Sequence, residues 1–190
     1  QDIIINHSAV NHFKNVGNFV DRELVEIYGK KAFYKINERD DIVGQLIIGL
    51  APHTSAGVIG RIIGFNESSV CWAHPYWHAS KRRNCDGDED GIILLMDAFL
   101  NFSKEFLPNT RGSKMDTPLV LVVTLNPYEV DDEVFKLDTV YSYPLKLYEY
   151  SKKMSPPIDL ISDIELVQDR LGKIEQFQGF RYSHHTSNIS

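Results

Sequence analysis

From His78 to Gly91 the chain reads His-Ala-Ser-Lys-Arg-Arg-Asn-Cys-Asp-Gly-Asp-Glu-Asp-Gly, so three cations run directly into an acidic cluster. Asp86, Asp88, Glu89 and Asp90 put four carboxylates within five positions. Their mutual repulsion costs stability unless a metal, or Lys81, Arg82 and Arg83, offsets it. Oxygen-only ligands suit the hard ions Mg²⁺, Mn²⁺ and Ca²⁺, and Gly87 and Gly91 let the backbone bend so that neighbouring carboxylates converge. On residue types alone three readings stand. In a phosphoryl-transfer site Asp86 and Asp88 hold Mg²⁺ while Lys81, Arg82 and Arg83 meet phosphates. In a calcium loop Asp86, Asp88, Asp90 and Gly91 take positions 1, 3, 5 and 6, with Asp97 at position 12, but Leu94 at position 9 has no ligand to offer. In the third reading the run is a solvated charged turn.

Two other groups of chemical side chains stand nearby. Cys71, His74, His78 and Cys85 supply zinc-ligand types, yet their C-x2-H-x3-H-x6-C spacing matches no standard pair of metal knuckles, so zinc is disfavoured. The Pro-His-Thr-Ser-Ala-Gly turn carries His53, Thr54 and Ser55, whose hydroxyls and neighbouring N–H groups suit a phosphate as well as they suit a plain turn.

The elements that must position these groups follow from periodicity. Val10, Phe13, Val16, Val20, Leu24 and Ile27 predict an amphipathic helix over Ser8–Tyr28, and Ile42, Val43, Leu46, Ile47 and Leu50 a second over Asp40–Leu50, closed by Pro52. From His53 the composition turns to glycine, β-branched residues and aromatics, with a strand expected over Val58–Phe65. A strand over Ile92–Leu95 and a helix over Asp97–Phe106 follow the acidic loop, the helix burying Ala98, Phe99, Phe102 and Phe106. Pro118–Leu125 reads as a strand buried on both faces. Beyond it the pattern predicts a short strand at Thr139–Tyr143, helices at Leu145–Lys153 and Asp159–Leu171, and a closing strand at Phe177–Ser183. The fold class is α+β, a β-centred domain with flanking helices, divided into a helical segment 1–50 and a domain 51–190.

Composition bounds the function. The 190 residues suffice for a sizeable core, and no apolar run approaches the roughly 18 residues of a membrane span. With two cysteines and no signal-peptide pattern, the expected setting is the cytoplasm. A net charge of −6 opposes a self-contained nucleic-acid binder, so any DNA contact must be local or completed by other parts.

Three blocks carry a specific resemblance: GLAPHTSAGVIGRIIGF at 49–65, AHPYWHASKRRNCDGDED at 73–90 and NFSKEFLPNTRGSKMDTPLVL at 101–121. They closely resemble the large, catalytic subunit of the archaeal family D DNA polymerase. The likeness runs more weakly from His12 to the C-terminal Phe-Arg-Tyr-Ser-His-His-Thr, so the chain looks like one segment of a much longer subunit. There the family usually shows His-Asp-Thr where this chain has His184, His185 and Thr186, and it offers no cysteine matching Cys71.

The resemblance implies a double-psi β-barrel in which Asn84, Asp86, Gly87 and Asp88 form a metal-bearing loop. It implies DNA-templated transfer from a dNTP to a primer 3′-hydroxyl with two Mg²⁺ ions, held by Asp86 and Asp88 and by residues outside this chain. Primer-template DNA and dNTPs would meet Lys81, Arg82, Arg83, Asn84, Arg111 and Lys114. The remaining segments of the large subunit and a small exonuclease subunit would be partners, because a further aspartate comes from a barrel upstream that nothing before Asp86 matches. The alternative is a non-catalytic module that positions DNA or binds calcium.

Overall fold

The computed structural model describes residues 1–51, 56–81, 90–105, 119–140, 142–156 and 162–180, with side chains at 103–105 left aside. Its centre is a mixed sheet with helices against it. β1 (Asp2–Asn6), β3 (Ala56–Asn66), β2 (Leu46–Leu50) and β4 (Gly91–Leu94) lie in that order, and β5 (Val120–Val122) pairs with β3. β2 runs antiparallel to both β3 and β4, whereas β1 and β5 run parallel to β3. Because β2 pairs with Val58 to Arg61, β1 and β5 share the opposite edge of β3: β5 lies along Ala56–Val58 and β1 along Arg61–Asn66.

Alternation of side chains across the sheet separates two cores. The partners Ile47 and Leu94 join the larger one, with Ile3, Ile62 and Trp77. Their neighbours Ile48 and Ile93, also opposite each other, join a smaller one with Ala98 and Phe102. A strand buried on both faces loses its polar alternation, and β2 shows the result. The helix expected over Asp40–Leu50 is instead a 3-10 turn at Arg39–Ile42 followed by β2. The boundary expected at residue 50 therefore falls between two hydrogen-bonded strands of one sheet.

α1 (Val10–Glu26) matches the first expected helix and buries Phe13, Gly17, Val20, Asp21 and Leu24 on one stripe, while Ile27 is exposed. A Cβ at Gly17 would lie 2.7 Å from Ile36 Cδ1, so the glycine lets the 33–36 segment press onto the helix. Asp21 fixes that segment. Its Oδ1 accepts the N–H groups of Phe33 (2.7 Å) and Tyr34 (2.8 Å), and Oδ2 that of Lys35 (2.7 Å), whose φ is +52°. α2 (Pro75–Ala79) is a short helix with Pro75 in its first turn and His74 as its cap, Nδ1 accepting the Tyr76 N–H at 3.2 Å. α3 (Leu95–Glu105) and α4 (Leu145–Lys152) stand where helices are expected.

Four expectations need correction. Phe99 is exposed on α3, because the helix packs one narrow stripe, Ala98 and Phe102, onto the smaller core. β5 is three residues long, and Val120 and Val123 are exposed, since among the described residues it pairs with β3 and with no second strand. No strand forms among the described residues of Thr139–Tyr143; a single bridge joins Asp138 to Leu166. That bridge breaks the helix expected over Asp159–Leu171, leaving a 3-10 turn at Val167–Arg170. Phe177 ends another 3-10 turn, and the rest of the closing strand beyond Phe180 lies outside the described residues.

Candidate active site

α2 and β4 carry the two stems of the acidic loop. α2 packs on the sheet through Trp77, fully buried, whose indole lies against β2 at Gly49; a Cβ there would collide with the ring. One turn after Trp77, Lys81 sets its ammonium 3.2 Å above the indole centroid and donates to the Trp77 carbonyl at 3.2 Å. Asp90, directly before β4, brings Oδ2 to 2.8 Å from that ammonium. The Lys81 side chain has no exposure and that of Asp90 7%. His78 Nδ1 stands 3.8 Å from the same oxygen. Asp90 Oδ1 is also buried and has no hydrogen-bond partner among the described residues.

The electrostatics follow from burial. Desolvation pushes the Lys81 ammonium down to about 8, against the raising influence of Asp90. Burial works against ionised Asp90 too, but His78 and Lys81 outweigh it and hold the carboxyl below the usual range. Near neutral pH the two therefore form a charged pair in a dry setting, where the mutual attraction offsets a large desolvation cost. Cys71, close to both, has its thiol pushed up to about 11 by burial, so it is a protonated, inert thiol.

Between these stems lie Arg82, Arg83, Asn84, Cys85, Asp86, Gly87, Asp88 and Glu89, all outside the described residues, as are His53, Thr54, Ser55, Arg111, Lys114, His184, His185 and Thr186. Of the expected site residues only Lys81 is described. Its ammonium faces Asp90 and Trp77 with no solvent access. The sequence names Lys81 among the cations that offset the carboxylates, but it does not single out Asp90 as its partner, and the only hint of the seat on Trp77 is the i,i+4 spacing.

The remaining candidates have structural partners. His74 uses Nδ1 to cap α2, its Nε2 lies 3.2 Å from the Phe177 carbonyl, and its ring packs edge-on to Phe180. Burial lowers its pKa, so the neutral ring prevails. Asp97, buried at the start of α3, accepts from Asn101 Nδ2 at 2.9 Å, and that amide also reaches Glu23 of α1 at 2.8 Å. Desolvation raises its pKa. With Leu94 in the core, the calcium reading has no side-chain ligand at position 9, and Asp97 at position 12 already accepts from Asn101. Among the described residues no group of three or more His, Cys, Asp or Glu side chains is placed to hold a metal.

Comparison with known proteins bears on the whole chain. Residues 1–190 match the family described as DNA polymerase II large subunit DP2, catalytic domain. The chain is 53% identical over 189 residues to the DNA polymerase II large subunit of Methanococcus vannielii, covering 100% of this chain and 17% of that protein. The subunit of Pyrococcus furiosus is 50% identical over 190 residues, again all of this chain and 15% of the relative. That of Natronomonas pharaonis is 47% identical over 190 residues, 16% of its length. The chain thus spans about a sixth of the length of the curated relatives it matches.

Proposed function

Because the chain belongs to the family of DNA polymerase II large subunit DP2 catalytic domains, we propose that it forms the part of a DNA-directed DNA polymerase that carries the metal loop for nucleotidyl transfer. The observation that carries the reading is the match over residues 1–190, which includes the loop between α2 and β4. The loop's carboxylates are oxygen donors, which fits Mg²⁺, and Asp86 and Asp88 would hold it. Bound there, Mg²⁺ supplies activation of a primer 3′-oxygen and stabilisation of the leaving pyrophosphate. Asp86 and Asp88 stand two positions apart across Gly87, a spacing that would let both carboxylates serve one ion. Arg82, Arg83, Asn84, Arg111 and Lys114 are the candidates for holding DNA and dNTP phosphates, which orients the triphosphate and neutralises its charge. Lys81 acts on the same loop through Asp90, its present partner.

In this reading the mixed sheet and its helices are part of a double-psi β-barrel, in the cytoplasm, completed by a further aspartate from elsewhere in the large subunit. No helix among the described residues is long and apolar enough to cross a membrane. The remaining large-subunit segments and a small exonuclease subunit are the proposed partners.

Primer extension tests the reading. The 190-residue chain alone is expected to add no nucleotides with Mg²⁺, because two carboxylates supply only part of a two-ion shell. The intact polymerase should extend, and Asp86→Ala or Asp88→Ala should reduce it to background. Undiminished extension by either variant removes the loop from catalysis.

A further inference from the structure

Lys81 and Asp90 bracket residues 82–89 and touch each other at 2.8 Å, so eight residues leave and return through one buried ion pair. The pair is itself seated. The ammonium rests on the Trp77 indole, the indole rests on Gly49 of β2, and Asp90 leads directly into β4, which pairs with β2 through Gly49 opposite Ile92. A closed path of contacts therefore runs from one loop stem through the sheet to the other.

A surface pair would do little to fix the loop ends, because exposed ion pairs are weak and easily exchanged for water. This one is dry, and separating the charges would leave each buried with weaker neighbours, the Trp77 carbonyl and indole for the ammonium and His78 for the carboxylate. Two neighbours set its geometry. His78, on α2, approaches the same carboxylate oxygen, and the Trp77 carbonyl fixes the ammonium from its own helical turn.

We propose that Lys81 and Asp90 are positioning residues, a buried clasp that fixes the separation and direction of the two ends of the 82–89 loop and thereby the placement of Asp86 and Asp88. The inference rests on the metal-loop reading. The clasp acts through those carboxylates and touches no substrate. A pair present only to neutralise buried charge would be replaceable by any two uncharged groups of similar size, whereas a clasp would not.

The intact polymerase carrying Lys81→Met, Asp90→Asn and both together discriminates between the two. Three quantities are read: the melting temperature, the Mg²⁺ concentration at half-maximal primer extension, and the rate of tryptic cleavage after Arg82 and Arg83, mapped by mass spectrometry. Each single variant strands one buried charge, so melting should fall by about 10 °C if this chain's unfolding is followed. The Mg²⁺ requirement should rise about tenfold, as for loss of a group that orients metal ligands. Cleavage after Arg82 and Arg83 should quicken several-fold. The double variant should regain most of the melting temperature and neither of the other two. Recovery of all three in the double variant, or single variants that move the melting temperature alone, would overturn the clasp. If Asp86→Ala and Asp88→Ala leave the Mg²⁺ requirement unchanged, the metal-loop reading fails separately, and the cleavage rate still reports on the clasp.

Discussion

Asp21 organises its surroundings by accepting three consecutive backbone N–H groups, and the third belongs to a lysine held at positive φ. Removing the carboxylate would take the acceptor from all three donors, of which that of Tyr34 is buried and the other two are partly buried. Asp21→Ala is accordingly expected to cost about 3 kcal/mol, the range for losing charge-assisted bonds plus orphaned donors, measured by urea denaturation. A loss below about 1 kcal/mol would mean that the 33–35 segment finds other acceptors. At the residue scale, type and spacing single out Asp86, Asp88, Glu89 and Asp90 as a cluster, of which the described residues include Asp90. The inward turn of Lys81 is not legible there. In a Lys-Arg-Arg run the three cations look alike, and only the fold turns the first inward onto Trp77 while Asp90 arrives from the far side of eight residues.

Among elements, the contact between Trp77 and Gly49 couples α2 to β2 without any side chain on the strand. Gly49→Ala would insert a methyl group where the ring lies. It should cost about 1–3 kcal/mol through overpacking, and Trp77 fluorescence should report a changed environment. An Ala variant with wild-type stability would show that α2 can ride outward freely. α1, β3 and α3 are legible because their patterns are unambiguous, one stripe at helical spacing or a glycine-punctuated β-branched run, whereas the short apolar run of β4 leaves strand and helix open. β2 is not legible, because Ile47 and Ile48 face opposite cores and both are buried, so the run has no polar face to reveal its period. Val167–Arg170 misled for the opposite reason. Helical spacing was present, but Leu166 is drawn into a bridge with Asp138 that only tertiary structure supplies.

Across the whole molecule, the sheet gathers strands from Asp2 to Val122 around β3, which takes β2 along one edge and β1 and β5 along the other. Those partners differ greatly in when they can meet. β2 and β3 are joined by residues 51–55 and pair as a hairpin, a contact that closes a short loop. β5 must return across more than fifty residues to lie beside Ala56–Val58, so its loop-closure entropy is met late. The expected order of assembly is the hairpin first, with β5 docking after the rate-limiting barrier. Stopped-flow chevrons can check it: Ile47→Val should slow folding, whereas Val122→Ala should chiefly speed unfolding. The reverse partition would place β5 in the nucleus. If the order holds, the edge of β3 that β5 covers stands open while the chain is still collapsing, an unpaired strand border on which another nascent copy could settle before the native strand arrives.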